Sequence, residues 1–238
     1  IQADIKTISA LGGYAASAIT AVTVQNTVGV RAVHVVPAEI VCGQIEAVME
    51  DLHPDAIKIG MVSEEETVRA IADCLRKFRP EHVVYDPVMV STSGRKLMND
   101  AAIEIIKKEL FPLTTLLTPN LDEVEVLTGK KIVVLEDMQQ VARELSAIYR
   151  TAVLIKGGHL PGDEMQDVLC ADGNLFIYKE KKVVSKNLHG TGCTLSSSIA
   201  TYLALGYTMN EAVSKAKNYL SKAIDAGKEI VAGKGNGP

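Results

Sequence analysis

Short runs of aliphatic and β-branched residues alternate along this chain with longer segments whose apolar residues recur at helical spacing. The short runs are typical of buried strands and the longer segments of amphipathic helices. The pattern predicts strands at residues 19–24, 33–36, 56–59, 83–85, 116–118 and 153–155. It predicts helices at the amino terminus and at residues 40–49, 64–78, 101–110, 121–127, 138–148, 193–205 and 210–227. Such alternation favours an α/β fold in which helices cover both faces of a mostly parallel sheet.

Residues 168–184 depart from this alternation and predict a small β-hairpin. Two short apolar runs flank Asp172-Gly173 in this segment, and an Asp-Gly pair is a frequent two-residue hairpin turn. We find no internal repeat, no low-complexity stretch and no linker in the sequence. The chain is therefore predicted to form a single domain over residues 1–238.

Composition and charge narrow the class of protein. The 238 residues are 47% hydrophobic and 23% charged, which is typical of a soluble globular protein. The net charge is −4 without a basic run, so a nucleic-acid-binding surface is not expected. No apolar stretch reaches the ~18 residues that a membrane span needs. Cys42, Cys74, Cys170 and Cys193 form no CxxC pair, and this pattern predicts reduced thiols in a cytoplasmic protein.

The segment from His189 to Cys193, with the sequence His-Gly-Thr-Gly-Cys, precedes an apolar helix. In open α/β sheets, ligands bind beyond the carboxyl ends of the strands, and a helix amino terminus there attracts anions. Glycines allow a phosphate to approach the backbone closely. At the start of a helix, the pKa of the Cys193 thiol is expected to be lowered. A glycine turn followed by a helix with a buried cysteine is the alternative.

Three further groups of polar residues follow predicted strands. Asp86 comes after Val84-Tyr85 and is either a carboxylate for Mg²⁺ or an aspartate that only shapes the turn before Pro87. Asn120 and Glu123 either form a helix capping box or face a hydrated metal. Lys156, which precedes two glycines and His159, suits a phosphate contact but also an ordinary surface turn.

Gln25 and Met61 also follow apolar runs. Because such residues recur after strands that end at the same edge of one sheet, they indicate a shared ligand site. The P-loop motif G-x-x-x-x-G-K-[ST] and the G-x-S-x-G motif are absent, which excludes a P-loop kinase. His189 and Cys193 are compatible with a cysteine hydrolase or a metal pair. A hydrolase needs further catalytic partners, and a metal site needs further ligands.

Taken in order, these motifs resemble those of hydroxymethylpyrimidine/phosphomethylpyrimidine kinases, a family of the ribokinase-like superfamily. The resemblance covers essentially the whole chain. The matching segments are residues 1–7, 19–27 and 58–61, Asp86-Pro-Val-Met89, Thr118-Pro-Asn-Leu-Asp-Glu123, Lys156-Gly-Gly-His159 and His189-Gly-Thr-Gly-Cys193. The resemblance implies an αβα sandwich. It also implies ATP- and Mg²⁺-dependent phosphorylation of hydroxymethylpyrimidine and then of its monophosphate, giving the pyrophosphate used to make thiamine.

The resemblance also implies roles for individual residues. Gln25, Met61 and Val88 would surround the pyrimidine, and Gly190, Thr191 and Gly192 would hold the transferring phosphate. Cys193 stands where ribokinase relatives have an aspartate base, and its thiolate would accept the proton of the hydroxymethyl group. Asp86 and Glu123 would serve the metal, and Asn120, Lys156 and Lys217 the nucleotide.

The family has an apolar strand and a glycine-rich turn before the position of Ile1, and continues beyond Pro238. We therefore expect residues to be missing at both ends of this sequence. A homodimer is the expected assembly. A pyridoxal or pyridoxine kinase of the same fold and a non-catalytic pyrimidine-binding protein are the alternative functions. Gln25 favours the pyrimidine, because a pyridine alcohol offers a different hydrogen-bonding edge.

Overall fold

The structure is a computed structural model that describes residues 1–89, 98–158, 160, 162–235 and 237. His159 and Pro238 lie outside these described residues. The helices are α1 Gln2–Ala10, α2 Ala38–Asp51, α3 Glu65–Phe78, α4 Asp100–Ile105, α5 Leu121–Thr128, α6 Leu135–Tyr149, α7 Thr191–Ala204 and α8 Met209–Gly227. The strands are β1 Ala21–Asn26, β2 Gly29–Val35, β3 Ala56–Ile59, β4 His82–Tyr85, β5 Leu116–Leu117, β6 Ala152–Ile155, β7 Glu164–Ala171 and β8 Asn174–Lys181.

The central sheet has six strands in the order β3-β4-β5-β6-β7-β8. Strands β3 to β6 are parallel, and β7 and β8 are each antiparallel to the strand before them. This confirms the predicted α/β fold with a mostly parallel sheet. The carboxyl ends of the parallel strands β3 to β6 therefore meet at one edge of the sheet.

Alternate strand residues pack on opposite faces of the sheet. On one face, Tyr85 and Ile155 join the buried cluster that includes α3, α4 and α6. On the other face, Val84 and Leu154 join the cluster formed with α7 and α8. Both faces are covered, which explains why the central strands read as continuous apolar runs.

The first two predicted strands exist, but they do not join the central sheet. Strands β1 and β2 pair antiparallel with each other as a separate two-stranded sheet. Asn26 Oδ1 accepts hydrogen bonds from the N–H groups of Val28 and Gly29 and so shapes the turn. Val22 and Val24 are more than half exposed. Their β-branched side chains therefore belong to a surface strand and not to a core strand.

The predicted hairpin near Asp172-Gly173 is confirmed as β7 and β8. Asp172 and Gly173 both have positive φ, at 50° and 76°, as a type I′ turn requires. The predicted helix at residues 101–110 is α-helical through Ile105 and continues as a π-helical turn at Ile106–Leu110. Across the part of the chain that the structure describes, no helix is both long enough and apolar enough to span a bilayer.

Candidate active site

Asp86 and Lys156 meet beyond the ends of β4 and β6. Lys156 Nζ lies 2.7 Å from Asp86 Oδ1, and Thr118 Oγ1 donates to the same oxygen at 3.2 Å. Burial would lower the pKa of Lys156, but the charges of Asp86 and Glu123 outweigh it and raise that pKa. The ammonium therefore stays charged beside a buried carboxylate. The structure confirms that these two residues share one edge of the sheet.

Asn120 and Glu123 form the capping box of α5. Asn120 Oδ1 accepts from the N–H of Glu123 at 2.9 Å, and Glu123 Oε2 accepts from the N–H of Asn120 at 2.7 Å. Burial raises the pKa of Glu123 to about 7, with Lys156 opposing the shift and Asp86 adding to it. The same carboxyl group thus caps a helix and belongs to the charged cluster. The structural and functional interpretations of Glu123 are compatible.

The amino terminus of α7 faces this cluster. Gly190 is the N-cap with a φ of 86°, and Thr191 begins the helix. A Cβ atom at Gly192 would lie 3.4 Å from Asp86 Oδ2 and 3.6 Å from Lys156 Nζ. The helix terminus, whose first N–H groups have no partners within the helix, therefore lies directly beside a lysine and a carboxylate.

The thiol of Cys193 does not have the lowered pKa expected from its position at a helix start. Burial raises this pKa, and the negative charges of Asp86 and Asp4 add to the rise. The ammonium of Lys58 opposes it, both through its charge and through a hydrogen bond to the sulfur. The sequence-based expectation was wrong because desolvation of the sulfur outweighs the favourable interactions.

Lys58 and Asp4 form a second ion pair that the sequence analysis did not assign to the site. Lys58 Nζ lies 2.8 Å from Asp4 Oδ1, and Ser197 Oγ donates to the same oxygen at 2.7 Å. Burial would lower the pKa of Lys58, but its neighbours Cys193, Asp4 and Asp86 raise it. A lysine within the short apolar strand Ala56–Ile59 was the available signal, since a buried lysine needs a partner.

The three residues expected around the pyrimidine lie at the carboxyl edge of the central sheet or on the two-stranded sheet of β1 and β2, which we call the β1–β2 ribbon. Gln25 lies inside β1 and not after it, and its Nε2 is 3.4 Å from Nε2 of His189, just before α7. The carbonyl of Met61 accepts from Thr20 Oγ1 at 2.8 Å, which joins the loop after β3 to the start of the ribbon. Val88 is half-buried and follows Asp86 by two residues.

Lys217 is buried in α8 and pairs with Asp167. Its Nζ lies 2.6 Å from Asp167 Oδ2, while Asp167 Oδ1 accepts from the N–H of Gly157 at 2.8 Å. Lys217 is thus connected to the loop after Lys156 through Asp167. In the described ranges, no group of three or more His, Cys, Asp or Glu side chains is arranged to hold a metal.

The fold is that of solved kinases of the ribokinase-like class. The chain superposes with a TM-score of 0.84 on the phosphomethylpyrimidine kinase of Clostridium difficile 630, at 46% identity over 94% of this chain and 92% of that one. The pyridoxal kinase of Staphylococcus aureus in complex with AMP-PCP and pyridoxal matches with a TM-score of 0.88, at 29% identity over 99% and 85% of the two chains.

The sequence defines the family more narrowly. A family profile described as phosphomethylpyrimidine kinase matches residues 1–238. The hydroxymethylpyrimidine/phosphomethylpyrimidine kinase of Rhizobium meliloti is 51% identical over 241 residues, covering 100% of this chain and 90% of that protein. The chain belongs to the phosphomethylpyrimidine kinase family.

Proposed function

We propose that this protein transfers the γ-phosphoryl group of ATP to hydroxymethylpyrimidine and then to its monophosphate, for thiamine biosynthesis. The observation that carries the proposal is the amino terminus of α7, which opens onto Asp86 and Lys156 at the carboxyl edge of the sheet. The relative at 51% identity bears a name that states both kinase activities. Phosphoryl transfer needs positioning and charge neutralisation more than covalent chemistry, and this site offers both.

The backbone at Gly190, Thr191 and Gly192 would bind the transferring phosphoryl group. The first N–H groups of α7 lack helical partners and point to where negative charge develops. No acidic residue occupies the first turn of this helix, so the positive end of the helix dipole faces Asp86 and would also attract an anionic ligand. These donors are fixed before the reaction, which favours the transition state.

Asp86 and Glu123 would hold Mg²⁺, and Asn120, Lys156 and Lys217 would serve the nucleotide. Mg²⁺ is commonly bound by one or two carboxylates together with substrate phosphates, and the donor set here fits that requirement. When bound, the ion neutralises phosphate charge during transfer. Lys156 would contact phosphate directly, whereas Lys217, paired with Asp167, would act through the loop at Gly157.

Cys193 would accept the proton of the substrate hydroxyl group. Its place in the first turn of α7, beside Gly192, supports this role, since the acceptor oxygen must approach the phosphoryl group bound at the same helix terminus. Only the thiolate can take the proton, and burial disfavours the thiolate. The nearby cation Lys58 offsets only part of this cost.

A pyridoxal kinase activity is the second candidate. It is supported by the likeness to the Staphylococcus aureus pyridoxal kinase complex at a TM-score of 0.88. Gln25, near His189 at the rim of the site, would select the pyrimidine by bonding its amino and nitrogen edge. A competition assay in which hydroxymethylpyrimidine and pyridoxal are offered together separates the two functions by which alcohol is phosphorylated.

Further features support an assembly and a location. We propose that residues 1–238 form a single domain, because both core clusters pack against one central sheet. We also include a homodimer, for which the exposed valines of the β1–β2 ribbon provide an apolar surface. The described cysteines are all free thiols, which suits a cytoplasmic protein.

The test of the function is formation of ADP when the protein is mixed with ATP, Mg²⁺ and hydroxymethylpyrimidine. We expect ADP to form, followed by the monophosphate and then the pyrophosphate of the pyrimidine. Without the pyrimidine, ADP should form much more slowly. ADP formation with pyridoxal but not with hydroxymethylpyrimidine would replace the proposal with the second candidate.

A further inference from the structure

We propose that Lys58 is a specificity-determining residue that binds the phosphate of the monophosphate substrate during the second phosphorylation. The inference rests on the proposed function and gives Lys58 a role beyond its effect on the Cys193 thiol. In the second phosphorylation two phosphates must approach each other in one site. Lys58 is the cation that we assign to the acceptor phosphate.

The position of Lys58 places its ammonium at the edge of the sheet. Its neighbours Ile57 and Ile59 pack in the cluster on one face of the sheet, so Lys58 points to the other face, toward α1 and α7. A Cβ atom at Gly60 would lie 2.9 Å from Lys58 Nζ. The glycine therefore leaves room for the ammonium to lie across the carboxyl end of β3.

The surroundings of Lys58 keep its ammonium group charged and leave it able to bind an anion. Its side chain is 7% exposed and pairs with Asp4, while Asp86 contributes further negative charge nearby. An ammonium has three N–H donors. One reaches Asp4, and the thiol of Cys193 is a weaker partner that a phosphate oxygen can replace.

Lys58 and Lys156 are both close to Cys193. Lys58 donates a hydrogen bond to its sulfur, and a Cβ atom at the adjacent Gly192 would lie 3.6 Å from Lys156 Nζ. Lys156 belongs with Asp86 and Glu123 on the proposed nucleotide side, whereas Lys58 precedes Met61 on the proposed pyrimidine side. An acceptor group beside Cys193 would therefore be within reach of one cation for the donor phosphate and another for its own phosphate.

The two phosphorylation steps differ in their need for that second cation. The hydroxymethyl group is neutral, whereas a phosphate monoester carries about −1.5 to −2 charges at pH 7. In the second step an acceptor phosphate oxygen bonds to the γ-phosphorus, the bond from that phosphorus to the β,γ-bridging oxygen breaks, and ADP leaves with the electron pair. Lys58 would offset the repulsion between the two phosphates through a charge-assisted hydrogen bond.

A purely structural ion pair between α1 and β3 is the competing explanation, and variants separate the two. Lys58→Met alone leaves Asp4 charged and buried, which destabilises the fold. We therefore compare the single variant Asp4→Asn with the double variant that carries both Asp4→Asn and Lys58→Met. In the double variant neither member of the pair is charged. Lys6→Met, on the exposed surface of α1, is the matched control.

We expect removal of Lys58 in the Asp4→Asn background to lower kcat/KM for the monophosphate roughly 10- to 100-fold more than for the alcohol. Calorimetry should show a similar selective loss of affinity for the monophosphate in the absence of ATP. Lys58→Arg should retain most of the preference, because it keeps the charge. Equal losses for both substrates would mean that the pair is structural and would overturn the proposal.

The same comparison in the Cys193→Ala background shows whether Lys58 acts on phosphate or through the thiol. We expect the selective loss to persist there, since no thiolate remains to be stabilised. Disappearance of the selectivity would overturn the proposal. A wild-type protein that phosphorylates neither pyrimidine would instead contradict the proposed function itself, so the two failures are distinguishable.

Discussion

Gly192 faces Asp86 so closely that a Cβ atom at residue 192 would lie 3.4 Å from Asp86 Oδ2. The two residues are more than one hundred positions apart in sequence, and they meet because α7 packs on one face of the sheet with its amino terminus at the carboxyl ends of the parallel strands. The amino terminus of α7 and the buried carboxylate of Asp86 are therefore immediate neighbours.

We expect Gly192→Val to reduce kcat by at least about 100-fold, because losing an oxyanion-type donor costs about that much. The branched side chain would press against Asp86 and Lys156, whose nearest atoms lie 3.4 and 3.6 Å from the position of its Cβ atom, and would block access to the helix N–H groups. Circular dichroism should show a folded protein. Gly43→Ala is the control, since a Cβ there meets nothing within 4 Å and alanine favours the helix. A Gly192→Val variant with normal kcat would exclude the phosphate-binding role of this helix terminus.

We expect Cys193→Ala to lower the first phosphorylation far more than the second. Removal of a general base costs roughly 10²- to 10⁴-fold, and the alcohol depends on proton removal more than the anionic monophosphate does. The measurement is kcat/KM for each substrate over a pH series, with Cys42→Ala on α2 as the control. If both steps fall equally, Cys193 positions phosphate and does not accept a proton.

We expect Gln25→Leu to raise KM for hydroxymethylpyrimidine without a comparable change in KM for ATP. Loss of a hydrogen bond that the ligand buries costs roughly 1–3 kcal/mol. Gln140→Leu makes the same substitution on the exposed surface of α6 and should change neither constant. Equal increases in both KM values would show that Gln25 does not contact the pyrimidine.

The raised pKa of Glu123 predicts a specific pH dependence of stability. Its pKa is about 7 in the folded protein against an ordinary 4.5, so between these values only the folded state keeps the proton. The stabilisation is complete below pH 4.5 and is lost as the pH rises to about 7. Glu123→Gln removes this loss. Between pH 4.5 and 7 its free energy of unfolding should therefore exceed that of the wild type by up to about 3 kcal/mol.

Urea unfolding of metal-free protein at a series of pH values measures this difference. Glu211→Gln is the matched control, because Glu211 occupies the same capping-box position in α8. The pKa of Glu211 is lowered by its hydrogen bonds to Thr208, so its substitution should give no gain between pH 4.5 and 7. An unchanged pH slope in Glu123→Gln would contradict the raised pKa.

The order of strands and helices was readable from the sequence because it depends on local properties. Apolar periodicity distinguishes helices from strands, and Asp172-Gly173 selects a turn with positive φ at both residues. Asp86, Asn120 and Lys156 were expected at one edge because parallel strands bring their carboxyl ends together. The contacts of Asp86 with Lys156, and the parallel bridge between Asn120 and Lys156, confirm that placement.

Only the tertiary structure decided the charges around the site. The pKa of Cys193 depends on burial and on Lys58, and Lys58 depends on Asp4, which also accepts a hydrogen bond from Ser197, 193 positions away. Likewise, Lys217 meets Asp167 across 50 positions. Desolvation and charge proximity arise from packing between distant segments, whereas local sequence fixes periodicity and turns. For this reason the sequence indicated the strand ends, and the fold determined which side chains are paired and which are charged there.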